Sequence, residues 1–199
     1  MRKSWIVAAV IAAVLVFAGG SCVVTYNRLV GLDQRVKAQW AQVENVYQRR
    51  SDLVPNLVET VKGAAAFERD TLTAVTEARS RVGQVRLPEG ATSTPEDFRE
   101  YQQAQDQLGS ALSRLLVVAE QYPTLTATQG FRDLQAQLEG TENRIAVERM
   151  RYNETARDFN TARNRFPASI VAGLFGSRFR DKSFFAAQPG ASEPPKVKF

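Results

Sequence analysis

The chain has 199 residues, 44% of them apolar and 24% charged, which suits one globular domain of ordinary size with additions at its ends. Its formal net charge of +5 comes from basic residues scattered among acids, so no nucleic-acid stripe is indicated and only a modest pull toward anionic lipid follows. It has no histidine and one cysteine, Cys22, which excludes an internal disulfide, a Cys/His zinc site and a Cys–His dyad.

Glycine-rich phosphate loops are also missing, so no cofactor or metal is expected. Residues 1–24 open with Arg2 and Lys3 and continue with about 20 apolar or small residues from Trp5 to Val24, enough to span a bilayer. Three readings compete: an uncleaved transmembrane anchor, a lipoprotein signal with Cys22 as the lipidated residue, and a signal peptide cut before Ser21. The anchor is favoured because Val23 and Val24 prolong the apolar run and a helical pattern resumes at once. Positive charge at the start favours a cytoplasmic N-terminus and a bulk domain on the periplasmic side of the inner membrane. Arg28, Arg35 and Lys37 weaken that bias.

Residues 25–166 read as a helical bundle. In its first helix apolar residues recur at Leu29, Leu32, Val36, Trp40, Val43 and Tyr47, then at Leu53 or Val54, Leu57 and Val61, which is one helical face. A second stripe begins at Phe67 and takes in Val75, Ala78 and Val82; Gly83 to Thr94 is a loop by composition. Thr94, Pro95, Glu96 and Asp97 then form a strong helix start, followed by Phe98, Tyr101, Gln105, Leu108, Leu112, Leu115, Ala119 and Tyr122 up to Pro123. A last long helix is expected from Thr128 to Arg165, carrying Phe131, Leu134, Leu138, Ile145, Tyr152, Ala156 and Phe159 and closed by Pro167. At about 38 residues, or roughly 57 Å, it matches the segment from Thr25 to Gly63. The fold expected is all-α: an antiparallel up-and-down four-helix bundle with a long kinked first helix, preceded by one transmembrane helix. A three-helix version with residues 25–82 as one bent rod stays open.

The tail, residues 167–187, is apolar and amphipathic, and either folds back on the bundle or meets a membrane or partner. Residues 188–199 are Pro-rich and expected to be flexible.

Two features break the first stripe. Pro55 interrupts a helical run, and the expected outcome is a continuous, kinked helix whose freed carbonyl near Ser51 finds a polar neighbour. Arg50 stands one step past Tyr47 and points inward. Glu142, Arg149 and Asn153 interrupt the last helix beside Leu138, Ile145 and Tyr152. A buried arginine needs a carboxylate, and such a pair fixes register without necessarily adding stability. Arg49 or Arg50 with Asp52, Glu139, Glu142, Asn143 and Arg149 is therefore the expected interhelical cluster; solvated faces are the plainer alternative.

The same residues carry a resemblance. "YNRLVGLDQRVKAQWAQVENVYQRRSDLVPNLVETVKG", "YPTL", and "LEGTENRIAVERMRYNETARDFN" followed by "FP" resemble the LemA family from Tyr26 to about Phe185. "SFF" stands where relatives more often have Tyr-Phe, and "AAAFERDT" lacks the usual Tyr and His, so no role for that histidine carries over. The resemblance implies a bacterial, membrane-anchored helical bundle with no assigned activity, some of whose relatives are lipoproteins. Family motif residues fall on Arg49, Arg50, Asp52, Pro55, Asn56, Glu139, Gly140, Thr141, Glu142, Asn143, Arg144, Tyr152 and Asn153.

The function expected is non-catalytic: an envelope scaffold or adaptor that binds proteins, among them copies of itself, and organises membrane. A binding module serving a membrane peptidase or a transport or signalling complex is the runner-up. An enzyme using Glu139, Glu142 and Asp52 as acid and base comes third.

Overall fold

The computed structural model describes residues 2–63, 68–85 and 94–186. Phe67, most of the Gly83–Thr94 loop and residues 188–199 lie outside the described residues. Those described are all-helical, without a strand: α1 (Arg2–Lys62), α2 (Arg69–Gln84), α3 (Pro95–Ala119), the single turn α4 (Pro123–Thr126), α5 (Gln129–Asn164), α6 (Ala168–Leu174) and a 3-10 turn at Gly176–Phe179. The apolar N-terminal segment is no separate element. It runs straight into the first bundle helix, 61 residues without a break. The bent-rod alternative does not hold, since α1 ends at Lys62 and α2 starts anew at Arg69.

Local chemistry explains the boundaries. Thr94 accepts from the Asp97 backbone N–H and Asp97 accepts from that of Thr94, a reciprocal cap with Pro95 in the first turn. Thr128 caps α5 through the Phe131 N–H. Pro55 lies within α1 without ending it. The carbonyl it frees, four residues back at Ser51, accepts from Nε of Arg79 on α2 at 3.1 Å. A missing helix bond thus becomes a tether between helices. Gly176, with φ of 47°, adopts the left-handed backbone that closes α6.

The longest helices form the main pair. Trp40 meets Tyr152 at 5.4 Å between ring centroids and Arg50 reaches Glu142, so α1 and α5 run antiparallel. On α1 the inward positions are Leu29, Asp33, Val36, Trp40, Val43, Tyr47, Arg50, Val54, Leu57 and Val61. They alternate steps of three and four, as in a coiled-coil seam. Asp33 corrects the sequence reading, which put Leu32 on the stripe; Leu32 is only half-buried. α2 and α3 cover the half remote from the N-terminal apolar segment, where Val75, Ala78, Leu108, Leu112 and Leu115 pack with Val54, Leu57 and Val61, and α3 reaches past it only with Phe98 and Tyr101.

These two helices are too short to cover the other half. α2 has 16 residues and α3 has 25, against 36 in α5. Toward the N-terminal apolar segment α1 and α5 therefore overrun their neighbours, and the C-terminal tail fills the vacated place. Val171, Ala172, Phe179 and Phe185 join Leu29, Val36, Ala156 and Phe159 in one apolar cluster.

Side-chain amides tie the last stretch down. Asn160 donates to the Lys182 carbonyl and accepts from its N–H, at 2.9 and 2.8 Å. Asn153 does the same with Phe185, at 3.0 and 2.9 Å, and Gln102 of α3 with Ala186, at 3.0 and 3.4 Å. The spacings agree: seven helical residues rise about 10.5 Å and three extended residues span about 10 Å. Each amide satisfies backbone groups that would otherwise lack partners in a half-buried strap. Asn153→Ala or Asn160→Ala is expected to cost about 1–2 kcal/mol. Hydrogen exchange at Phe185 or Lys182 should then speed at least tenfold, while the α3 amides keep their protection.

Candidate functional site: a buried polar layer

The layer sits where the two halves of the core meet. Arg50 lies one step beyond Tyr47 on α1, Gln105 between Tyr101 and Leu108 on α3, and Glu142 between Leu138 and Ile145 on α5. Arg50 is only 2% exposed. Its Nη1 donates to Glu142 Oε1 at 3.0 Å, and its Nη2 to the Gln105 carbonyl at 2.8 Å and to Gln105 Oε1. Nε is buried and has no acceptor among the described residues. The Glu142 side chain is 42% exposed, so the pair is dry at the guanidinium and wet at the carboxylate. Gly109 makes room: a Cβ there would meet Arg50 Nη1 at 3.3 Å.

A second arginine backs the first. Nε of Arg149 donates to the Tyr47 hydroxyl at 2.6 Å and its Nη2 to Asp106 Oδ1 at 2.7 Å. Two guanidinium carbons lie near the Tyr47 ring, Arg50 at 5.2 Å and Arg149 at 5.5 Å from its centre. Burial pushes the Tyr47 phenol up to about 12, against the pull of Arg149. Burial also works against the charge on Arg149, but Tyr47 and Asp106 outweigh it and raise its pKa. Tyr101 and Tyr152 are shifted upward by burial as well.

The remaining sequence candidates divide cleanly. Tyr152 is buried in an aromatic box with Trp40, Phe98 and Phe185, and Asn153 holds the strap. Arg49, Asp52, Glu139 and Asn143 are exposed and do not join the layer. Asp52 accepts from Gln48 and Glu139 from Gln135, each on its own helix. The reason is angular: one residue from Arg50 along α1 turns a side chain by about 100°, out of the interface. Pro55 and Asn56 are likewise exposed, and Cys22 is half-buried with a free thiol.

Several residues of the site were not singled out. Gln105 was readable, as a polar residue on an otherwise apolar stripe, and so was Asn160, seven residues past the candidate Asn153. Asp33 and Lys182 carried no such signal. Lys182, 3% exposed, places Nζ 2.6 Å from Asp33 Oδ1 and 4.8 Å from the Phe159 ring centre. That contact is ionic and lacks the angles of a hydrogen bond. Lys37 approaches the other oxygen of Asp33 at 3.1 Å.

Two outcomes are expected. Arg50→Met takes the buried donor from Gln105 Oε1 and from Glu142, while the Gln105 carbonyl keeps its helix bond, and should cost about 1–3 kcal/mol. Adding Gln105→Leu should recover part of the loss, a coupling that chemical denaturation of the four members of the cycle measures. The second concerns alkaline pH. An unfolded tyrosine titrates near 10 and folded Tyr47 near about 12, so the native state keeps its proton longer. Stability is therefore full below pH 10 and declines as pH rises from 10 toward 12. Tyr47→Phe should flatten, without abolishing, that slope in melts followed by circular dichroism, because Tyr101 and Tyr152 shift the same way.

Comparison with known proteins agrees with the motifs that build this layer and strap. The LemA family profile matches residues 39–199. Magnetosome proteins MamQ 1 and MamQ 2 of Paramagnetospirillum magneticum are each 26% identical to the chain over 185 residues, covering 85% of it and 67% of their own length. Magnetosome protein MamQ of Magnetospirillum gryphiswaldense is similar to the same extent, 26% identical with the same coverage. The family match takes in the pairing segments of α1 and α5, the layer between them and the strap, and on it the chain belongs to the LemA family.

Proposed function

We propose that the protein is a membrane-anchored helical scaffold or adaptor of the bacterial cell envelope, acting by binding proteins rather than by catalysis. In this reading residues 5–24 cross the inner membrane with the N-terminus in the cytoplasm, and the four longer helices act as one up-and-down bundle on the other side. One observation carries it: among the described residues, the carboxylates that could serve as acid and base are held by arginine or bonded to a neighbour on their own helix, in an open groove or at the surface. Glu142 holds Arg50, Asp106 holds Arg149, and Asp52 and Glu139 face solvent on different helices. An acid–base pair needs two carboxylates across one enclosed site. Family membership and the likeness to the magnetosome proteins support a membrane-associated, non-enzymatic role.

The outer face of α5 is the surface such a protein would offer. Val147 and Met150 are exposed there, and Phe184 of the strap closes an open groove beside Met150 and Arg157. The patch is small, which favours as second reading a regulatory module on a membrane peptidase or a transport or signalling complex. A photo-crosslinking residue placed in cells at Val147 or Met150 is expected to capture the protein itself or one dominant partner. The same residue at exposed Arg114 should capture neither. Equal, diffuse labelling from all three positions would sink both readings.

A further inference from the structure

α6 leaves an apolar face that nothing in the described chain covers. Ala168, Val171 and Ala172 turn inward against the long helices. Ile170 and Leu174, four apart on the other side of α6, are 57% and 74% exposed, and Phe166 in the turn before it is 82% exposed. With Phe17, Ser21 and Cys22 of α1 they line an apolar groove of about 390 Å³. Side chains this large and this exposed, in one contiguous patch, call for a partner.

The position of the groove says which partner. It rests on the reading that α1 crosses the bilayer from Trp5 to Val24, about 30 Å of helix. Phe17 is seven residues before Val24 and thus about 10 Å below the emerging end. One wall of the groove is therefore within hydrocarbon, and α6, packed against that wall, must lie at the same depth. The rim has the chemistry of a headgroup boundary. Tyr26, just past the span, packs against Phe175 with ring centroids 4.7 Å apart and the planes tilted by 50°, and carries the Arg178 guanidinium at 5.4 Å. Arg28, Arg165 and Arg180 are exposed around it, long enough to reach lipid phosphates while their stems stay in apolar surroundings.

We propose that α6 is a second membrane element, inserted in the leaflet from which α1 emerges, with lipid acyl chains filling the groove between the two helices. The apolar surface of the anchor then continues unbroken onto α6, and the protein holds one leaflet at two points and the other at one.

The test uses the full chain with Cys22→Ser in nanodiscs of phosphatidylethanolamine and phosphatidylglycerol. Single cysteines replace Leu15, Ile170, Leu174 or Met150 and carry an environment-sensitive fluorophore. Nitroxide on the lipid acyl chain is expected to quench the labels at Ile170 and Leu174 several-fold more than aqueous iodide does, and iodide alone to quench that at Met150. Quenching of Ile170 and Leu174 by iodide, as at Met150, would place α6 in water and overturn the proposal. Shielding from both quenchers would overturn it too, by showing a protein surface there, such as a second copy. The label at Leu15 tests the anchor reading separately: if lipid nitroxide fails to quench it, the spanning assignment itself is lost.

Discussion

A guanidinium held away from water dictates how these helices fit together. Arg50 cannot be moved along α5 or α3 without trading Glu142 and Gln105 for Leu138 and Leu108 on one side or Ile145 and Tyr101 on the other. A slip of one turn, about 5.4 Å, would strand a charge in hydrocarbon-like surroundings at a cost of several kcal/mol. Ordinary leucine-on-leucine packing discriminates between registers far less, because one apolar contact replaces another. The unpartnered Nε and the glycine opposite Nη1 show what the arrangement gives up in stability. The layer is thus better understood as selecting one alignment than as strengthening it.

Everything that is missing around the long pair follows from unequal helix lengths. The short helices α2 and α3 close the distal half, and the tail must close the proximal half with whatever its sequence provides. It does so without a helix of matching length. Three amide side chains instead capture extended backbone, and a lysine is buried against Asp33.

Much of this was legible in the order of residues. The cap at Thr94, the limits of α5 and the stripe of α3 follow from local rules that need no knowledge of partners. Arg50 was also visible, because a charge on an apolar stripe demands an explanation within the same helix. What stayed hidden depends on distant pairings. Leu32 and Asp33 are neighbours, and composition favours burying the leucine; Lys37 one turn along covers one oxygen of the aspartate, but the other is met by Lys182, about 150 residues away along the chain. Nor did the sequence distinguish Arg49 from Arg50 or separate Glu139 from Glu142 as partners, since those choices rest on rotations of a fraction of a turn. Helix boundaries are local facts, whereas polar pairing is a property of the assembled object.

The unbroken passage of α1 from apolar span to bundle core has a mechanical consequence. If residues 5–24 span the bilayer as proposed, the helix extends from Val24 to Lys62 about 57 Å beyond its boundary. Tilting is one way a spanning helix accommodates a change in bilayer thickness, and with α1 unbroken a lean of about 10° would displace its far tip sideways by roughly 10 Å. On that reading the bundle is a pointer whose needle registers the state of the lipid around its base.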